Sequence, residues 1–561
     1  VAADYLLYPT EVGENIWQSF PTGSILFGLG VATWLLVRTL RGRLASAWER
    51  PDARRRRLAG LAVYLSILAA LSFVVRPEFA RVSENRAINE VASNGSYSFW
   101  RAVVGADAPY EGLYRTLPPA EIESRLEHLF SVSEGRRVDL AGGSTLRHVE
   151  NPGPPQRHNV VIVLEESLGS EFSALLSSRE TSLTPELDRL AGQGTLLTQA
   201  YSTGNRTIRA IEATTSSLPP LPGASIVRRS QSQGLFTLPS LLAGVGYQTA
   251  FVYGGRALFD GMGGYLAANG VERIVDQGDM PENAFTTAWG VADEVIFDRA
   301  LTEMDRMAAT GRPFYTLVLT VSNHRPFAFP TDVVQPLPGL KRRDNAVRYA
   351  DYALGRFLRQ AEQHAFYDNT LFVLMGDHGA RVYGAAEIPL GSYEVPILYL
   401  GPGIEHGRRI DTLSSSLDVP PTVLARLGLS YDSKFFGQDA FTVDPALGRA
   451  LVTHNNSVAL LRGGEIAVLG LQGRVETFAY RRVSRTFERN AALQRTEREL
   501  QGDAIAYFNG ADRAYRGGLY LAAPGEPSGA PQAVSEAPPA KPPVVSGGVP
   551  IARVTRPLTE L

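Results

Sequence analysis

Between Asn159 and about Leu429, short apolar runs alternate with longer stretches of helical periodicity, and few architectures can bury such a pattern. The runs 160–164, 249–253, 315–320, 371–375 and 397–400 have strand length and no internal charge. They read as strands buried on both faces. Helical patterns fill 185–193, 238–243, 291–307 and 344–364. This alternation predicts an α/β domain with a mostly parallel central sheet flanked by helices. Ligands of open parallel sheets collect at the carboxyl ends of the strands. The residues that close each run are therefore the candidates for chemistry.

The 371–375 run closes with Asp377, His378 and Gly379. A carboxylate beside an imidazole suits a borderline divalent metal, although a strand-end turn uses the same residue types. The 160–164 run closes with Glu165, Glu166 and Ser167. Strand side chains alternate, so one acid can face a metal while the other faces a neighbouring loop. A one-residue slip exchanges the two, and an acid-rich helix start is the competing reading. At 202–214 a Gly-Asn turn leads into a helical pattern and places Thr207 near a helix N-terminus. Free amides there favour an anionic nucleophile or a phosphate, with Arg206 and Arg209 as added cations. A simple capping threonine would look similar. His324 follows the 315–320 strand, where it can act as a proton shuttle or phosphate ligand, or be a surface histidine.

Upstream, 20–37 and 58–75 are apolar stretches without charge, each close to the ~20 residues of a membrane helix. The loop between them holds Arg38, Arg41, Arg43, Arg50 and the run Arg54 to Arg57. The positive-inside rule puts that loop in the cytoplasm and everything after Arg76 outside it. The sequence starts at Val1 rather than Met, so the numbering is expected to begin inside a longer gene product. The net charge of −2 excludes a globally basic nucleic-acid surface. The absence of cysteine excludes thiolate metal sites and a cysteine nucleophile.

Taken together, these segments resemble the sulfatase and alkaline-phosphatase superfamily, and within it the lipoteichoic-acid-synthase-type phosphoglycerol transferases. The matching stretches are N-V-V-I-V-L-E-E-S at 159–167, T-P-E-L-D-R-L-A at 184–191, G-N-R-T at 204–207, S-L-P-P-L-P-G at 217–223, S-N-H-R-P-F at 322–327 and G-D-H-G at 376–379. Tyr253-Gly-Gly with Phe259-Asp-Gly, and Trp289-Gly-Val-Ala-Asp-Glu294, match as well. The resemblance implies one divalent metal, Mn ahead of Zn or Mg, on Glu166, Thr207, Asp377 and His378. It implies Thr207 as nucleophile and Arg206, His324 and Trp289 as substrate contacts. The implied donor is phosphatidylglycerol and the acceptor a glycan or glycolipid hydroxyl. The implied location is the bacterial inner membrane, multi-pass, with a periplasmic catalytic domain against the lipid bilayer. Tyr253 stands where the Gram-positive polymerases have histidine, so the resemblance does not carry over that residue's substrate contacts and leaves room for a Gram-negative-type relative that decorates a periplasmic glucan.

The expected organisation is a membrane region at 1–76, a partly helical connector at 77–155 and the sulfatase-like domain at 156–430. An α+β subdomain at 431–522 follows, with strands at 465–471 and 475–480 and a charged helix around 487–501, and then a disordered Pro- and Ala-rich tail at 523–561. Competing readings are a phosphoethanolamine transferase of the same fold and a catalytically inactive head-group sensor. A sulfatase proper lacks its C/S-x-P-x-R motif here, and a multi-metal phosphatase lacks enough Asp and His ligands.

Overall fold

The computed structural model describes residues 9–48, 53–74, 79, 82–83, 85–95, 109–380, 386–488 and 494–522. The expected tail at 523–561 lies outside the described residues.

An eight-stranded sheet forms the centre, in the order Arg408–Ile410, Thr195–Leu197, Ile397–Leu400, Thr370–Gly376, Asn159–Glu165, Phe314–Leu319, Gln248–Tyr253, Arg273–Val275. Only Ile397–Leu400 runs against its neighbours. Every residue of the Asn159–Glu165, Phe314–Leu319 and Thr370–Gly376 strands is buried, as the uninterrupted apolar runs require. Register makes the strand ends level: Gly376 pairs with Glu165, while Leu319 pairs with both Leu164 and Tyr253. Four adjacent parallel strands thus end at one height, and the chemistry-bearing residues follow them.

Helices cover the sheet. Asp293–Ala308 and Arg342–Ala361 pack through Phe297 stacked on Phe357, centroids 4.6 Å apart. The connector helix Pro119–Glu134 buries Ile122, Leu126 and Phe130 and closes on Gly135 in the left-handed region. It packs against the C-terminal helix Gln494–Arg516, where Arg125 pairs with Asp503. The C-terminal helix therefore starts later and runs further than the expected 487–501. Phe487 belongs to the strand Thr486–Glu488 instead. Leu500, Ala504, Phe508, Ala511 and Tyr515 are all buried along one helical face, which carries the element well past Gln501.

That helix lies on an antiparallel meander of five strands from Arg449–His454 to Thr486–Glu488. Alternation assigns its two faces. Leu451, Leu460, Ala467 and Leu469 join the main core, whereas Ala450, Val452, Ala459, Leu461, Ile466 and Val468 join a second core with Tyr201 and Tyr393.

At the N-terminus a helix Pro9–Ser19 precedes the helix Thr22–Trp48, whose segment Thr22–Gly42 is long and apolar enough to cross a bilayer. It is the one such segment among the described residues. The second expected span folds within the helix Ala53–Val74, which opens on Arg54 to Arg57; its side chains beyond Leu71 lie outside the described residues.

Candidate active site

The two acids that close the Asn159–Glu165 strand separate as alternation requires. Glu165 accepts from the Thr320 hydroxyl at 3.3 Å inside the protein, and burial pushes its carboxyl well above the usual range. Glu166 turns the other way. Its Oε1 accepts from the Ser167 hydroxyl at 2.6 Å and its Oε2 from the Thr207 hydroxyl at 3.3 Å. The register ambiguity between the two acids is thereby resolved geometrically: Glu166 is the one that meets Asp377 and His378.

One ligand atom each from Glu166, Asp377 and His378 lies within 4.8 Å of the others, and all three residues are buried. Asp377 is held from its backbone side. Its Oδ1 accepts from the Ser167 and His378 amides, each at 2.7 Å. Its Oδ2 is buried without a hydrogen-bond partner, 3.7 Å from His378 Nε2. His378 Nδ1 lies 2.9 Å from the Gly379 carbonyl, an atom that only accepts, so the proton sits on Nδ1 and the lone pair on Nε2. Burial pushes Asp377 up to about 7, with the His378 imidazole opposing and the Glu166 carboxylate adding. Burial also acts upward on Glu166, but His324, His378 and the two hydroxyls outweigh it and hold the carboxyl below its ordinary value. Two carboxylates and an imidazole lone pair converging on an orphaned buried oxygen fit a divalent cation. Gly376 is required just before them, because any side chain there would strike the Leu168 carbonyl.

Thr207 is the first residue of the helix Thr207–Ser216, and Arg206 at the cap position makes no side-chain cap. The threonine hydroxyl is therefore not spent on capping; it points to Glu166. Arg206 reaches Asp260 Oδ2 at 3.1 Å. Arg209 departs from its expected role. It is buried, pairs with Glu212 and donates to the Leu221 and Gly223 carbonyls, so it shapes the 217–223 stretch rather than facing a phosphate.

His324 stands on the loop after Phe314–Leu319, 4.0 Å from Trp289 by ring centroids, and Phe259 meets Trp289 edge-on at 5.2 Å. These three rings form one wall. Trp289 Nε1 is buried with no hydrogen-bond partner. Trp289 sits at the tip of a hairpin, Thr286–Thr287 with Gly290–Val291. Gly290 has φ of 134°, and a side chain there would run into Gly254, so the Y-G-G stretch and the hairpin need each other's glycines.

Several site residues carried no assignment in the sequence. Asp293 lies inside the Trp289–Glu294 match, and its Oδ1 accepts from the Val321 and Ser322 amides at 2.9 Å each, which fixes the His324 loop. Burial pushes it up to about 6 against those bonds. Asn323 donates to the Glu166 and Ser167 carbonyls at 3.1 Å and ties the same loop to the ligand strand. Arg343 donates to the Ser167 carbonyl at 3.2 Å and lies over Phe172 and Phe327. In sequence it lies just ahead of the helical pattern at 344–364, and nothing singled it out. The buried asparagine and aspartate had a signal, since each adjoins a motif residue.

A central sheet with Glu166, Asp377 and His378 gathered at its strand ends, and a threonine at a helix start beside them, defines the class. The sulfatase family profile matches residues 158–429. A crystal structure of a protein in the alkaline phosphatase superfamily from Vibrio parahaemolyticus is 31% identical, with a TM-score of 0.67 over 73% of this chain and 99% of that one. Residues 158–429 form a sulfatase-family domain, and the chain belongs to the alkaline phosphatase superfamily. Lipoteichoic acid synthase 2 of Bacillus subtilis is 27% identical over 305 residues, 49% of this chain and 46% of that protein. Phosphoglycerol transferase I of Xanthomonas campestris pv. campestris is 26% identical over 335 residues, 55% and 46% respectively. The chain thus spans about half the length of the curated relatives it matches. The lipoteichoic acid synthase LtaP from Listeria monocytogenes shares the fold, with a TM-score of 0.58 at 19% identity over 70% of this chain and 98% of that one.

Proposed function

We propose that this chain is a membrane-anchored phosphoglycerol transferase that moves the head group of phosphatidylglycerol to an extracytoplasmic glycan or glycolipid hydroxyl. The observation that carries the reading is the Thr207 hydroxyl, uncommitted as a cap and 3.3 Å from Glu166 within the Glu166–Asp377–His378 cluster. The names of the relatives supply the head group. Glu166, Asp377, His378 and the Thr207 oxygen would hold one divalent cation, Mn first. Such a cation lowers the pKa of a coordinated hydroxyl and neutralises charge on phosphoryl oxygens.

The chain's own residues account for the rest. Thr207 donates toward Glu166, which leaves an oxygen lone pair for attack on the lipid phosphorus. The Thr207–phosphorus bond forms, the bond to the diacylglycerol oxygen breaks, and a glycerophospho-threonine remains. His324 lies close enough to draw Glu166 down electrostatically. In this reading Glu166 takes the Thr207 proton while His324 protonates the departing diacylglycerol oxygen; the acceptor hydroxyl then gives its proton to His324 as it displaces Thr207, which recovers its own from Glu166. Trp289 and Phe259 wall the head group, while Arg206 faces its phosphate. The Thr22–Gly42 helix, with Ala53–Val74 as its return, would keep the site on the outer side of the bacterial inner membrane.

Full-length protein in detergent micelles should transfer labelled head group from phosphatidylglycerol, and Thr207→Ala should reduce this at least about a thousandfold with an unchanged melting temperature. Phosphatidylethanolamine offered in parallel should be a poor donor. Undiminished transfer by the alanine variant would sink the assignment of Thr207, and preference for ethanolamine would replace the head group.

A further inference from the structure

The hairpin that carries Trp289 is tied to the helix that leads into the membrane. The amide of Ala288, at the hairpin tip, donates to Gln18 Oε1 at 3.4 Å. Gln18 lies on the helix Pro9–Ser19, four residues before Thr22, where the apolar span begins. Four residues cover ~6 Å as helix and at most ~14 Å fully extended. The head-group layer of one leaflet is ~5–8 Å thick. The wall of the active site is thus held at about head-group depth.

The side chains around that tip suit this position. Trp17 and Phe20, on either side of Gln18, are both exposed. Aromatic residues collect at membrane interfaces, where an apolar body meets a wet rim. On the catalytic domain Leu258 is 81% exposed and immediately precedes Phe259, the ring that packs on Trp289. Phe285 is 42% exposed beside the hairpin, its carbonyl accepting from the Ala292 amide at 2.9 Å. Single exposed apolar residues are ordinary on a soluble surface. This group differs in its continuity with a helix able to span a bilayer.

We infer that Leu258 and Phe285 dip into the outer head-group layer of the bilayer crossed by Thr22–Gly42, so that a membrane lipid reaches the site without leaving the membrane surface. The inference rests on the proposed function for the identity of the lipid, whereas the contact itself is independent of it. The occupant is the phospholipid bilayer, because the span fixes the distance and the exposed residues are apolar and aromatic.

The chain contains no cysteine, so single labels are unambiguous. Full-length Leu258→Cys and Phe285→Cys, each carrying an environment-sensitive fluorophore, are reconstituted in phosphatidylglycerol vesicles containing nitroxide-head-group lipid. Val483→Cys, on a fully exposed turn of the C-terminal meander, is the reference. Blue-shifted emission and strong quenching at 258 and 285, but not at 483, are expected. Quenching equal to that of the 483 label overturns the inference.

A kinetic arm reads the consequence. Leu258→Asp combined with Phe285→Asp should raise the apparent KM for vesicle phosphatidylglycerol about tenfold or more, as expected when apolar side chains no longer leave water. Turnover of monomeric dihexanoyl phosphatidylglycerol should change less than twofold. Equal loss on both substrates, or no change on either, overturns the inference. If the unsubstituted protein turns over neither lipid while labels at 258 and 285 are quenched, the phosphoglycerol reading falls and the membrane contact stands.

Discussion

At the scale of single residues, the position of a proposed catalytic group can rest on a neighbour outside the proposed site. His324 depends on Asp293, whose Oδ1 takes two consecutive loop amides. Asp293→Ala leaves those buried amides without partners at ~1–3 kcal/mol each, so the loop rearranges to recover hydrogen bonds. A displacement of ~1 Å can cost about a hundredfold in rate. Transfer should therefore fall ten- to a hundredfold. Bound metal should stay level, since Asp293 hydrogen-bonds none of Glu166, Asp377 or His378. Head-group transfer and metal analysis on the same preparation check this; metal lost in step with activity would mean that Asp293 supports the ligands instead. The clustering of Glu166, Asp377 and His378 was legible in the sequence because each follows an apolar run. Which of Glu165 and Glu166 faces the cluster was not, because that depends on a strand-end register that Asn323 and Thr320 fix from another segment. Arg209 misled for a related reason: its helical spacing matched a phosphate contact, but carbonyls twelve and fourteen residues downstream claim its guanidinium.

At the scale of elements, the helix Pro185–Ala191 is capped from outside. Thr184 makes no side-chain cap, and Asp351 on the helix Arg342–Ala361 accepts the Glu186 and Leu187 amides at 2.8 and 2.9 Å instead. Burial outweighs those bonds and pushes Asp351 from 3.8 up to about 7. The folded state then holds a proton that the unfolded state has released. Its contribution to stability is complete below about pH 4 and is lost as pH rises through 7. The loss amounts to at most about 4 kcal/mol, the free-energy equivalent of that shift. Asp351→Asn should flatten this slope, so that the melting temperatures of the two proteins converge or cross between pH 5 and 8. Parallel curves across that range would show that Asp351 is ionised throughout. The parallel strands and long helices were readable from periodicity alone. The extent of the Gln494–Arg516 helix was not, because its face is completed by Leu126 and Ile122 from a helix almost four hundred residues earlier.

At the scale of the whole molecule, the catalytic edge is assembled from strand ends far apart in sequence, and the buried acids there are stable together only with a compensating charge. Without one, Asp377 is pushed up to about 7 by burial. A cation at Glu166, Asp377 and His378 needs the carboxylate deprotonated, so protons compete with it below pH 7, weakening apparent affinity up to about tenfold per pH unit. The raised Asp377 also means that metal-free protein loses stability as pH climbs from about 4 through 7, by the same sign argument as for Asp351. Both effects act in one direction. Chelation should lower the melting temperature of full-length protein more at pH 8 than at pH 6, and added Mn should restore it. Ligand linkage sets the scale, with about 4 kcal/mol expected at a metal concentration a thousand times Kd. An equal drop at both pH values would mean that the cation binds without displacing a proton from Asp377. No drop at either would remove the cation from the site and leave a protonated Asp377 beside an ionised Glu166 to be explained.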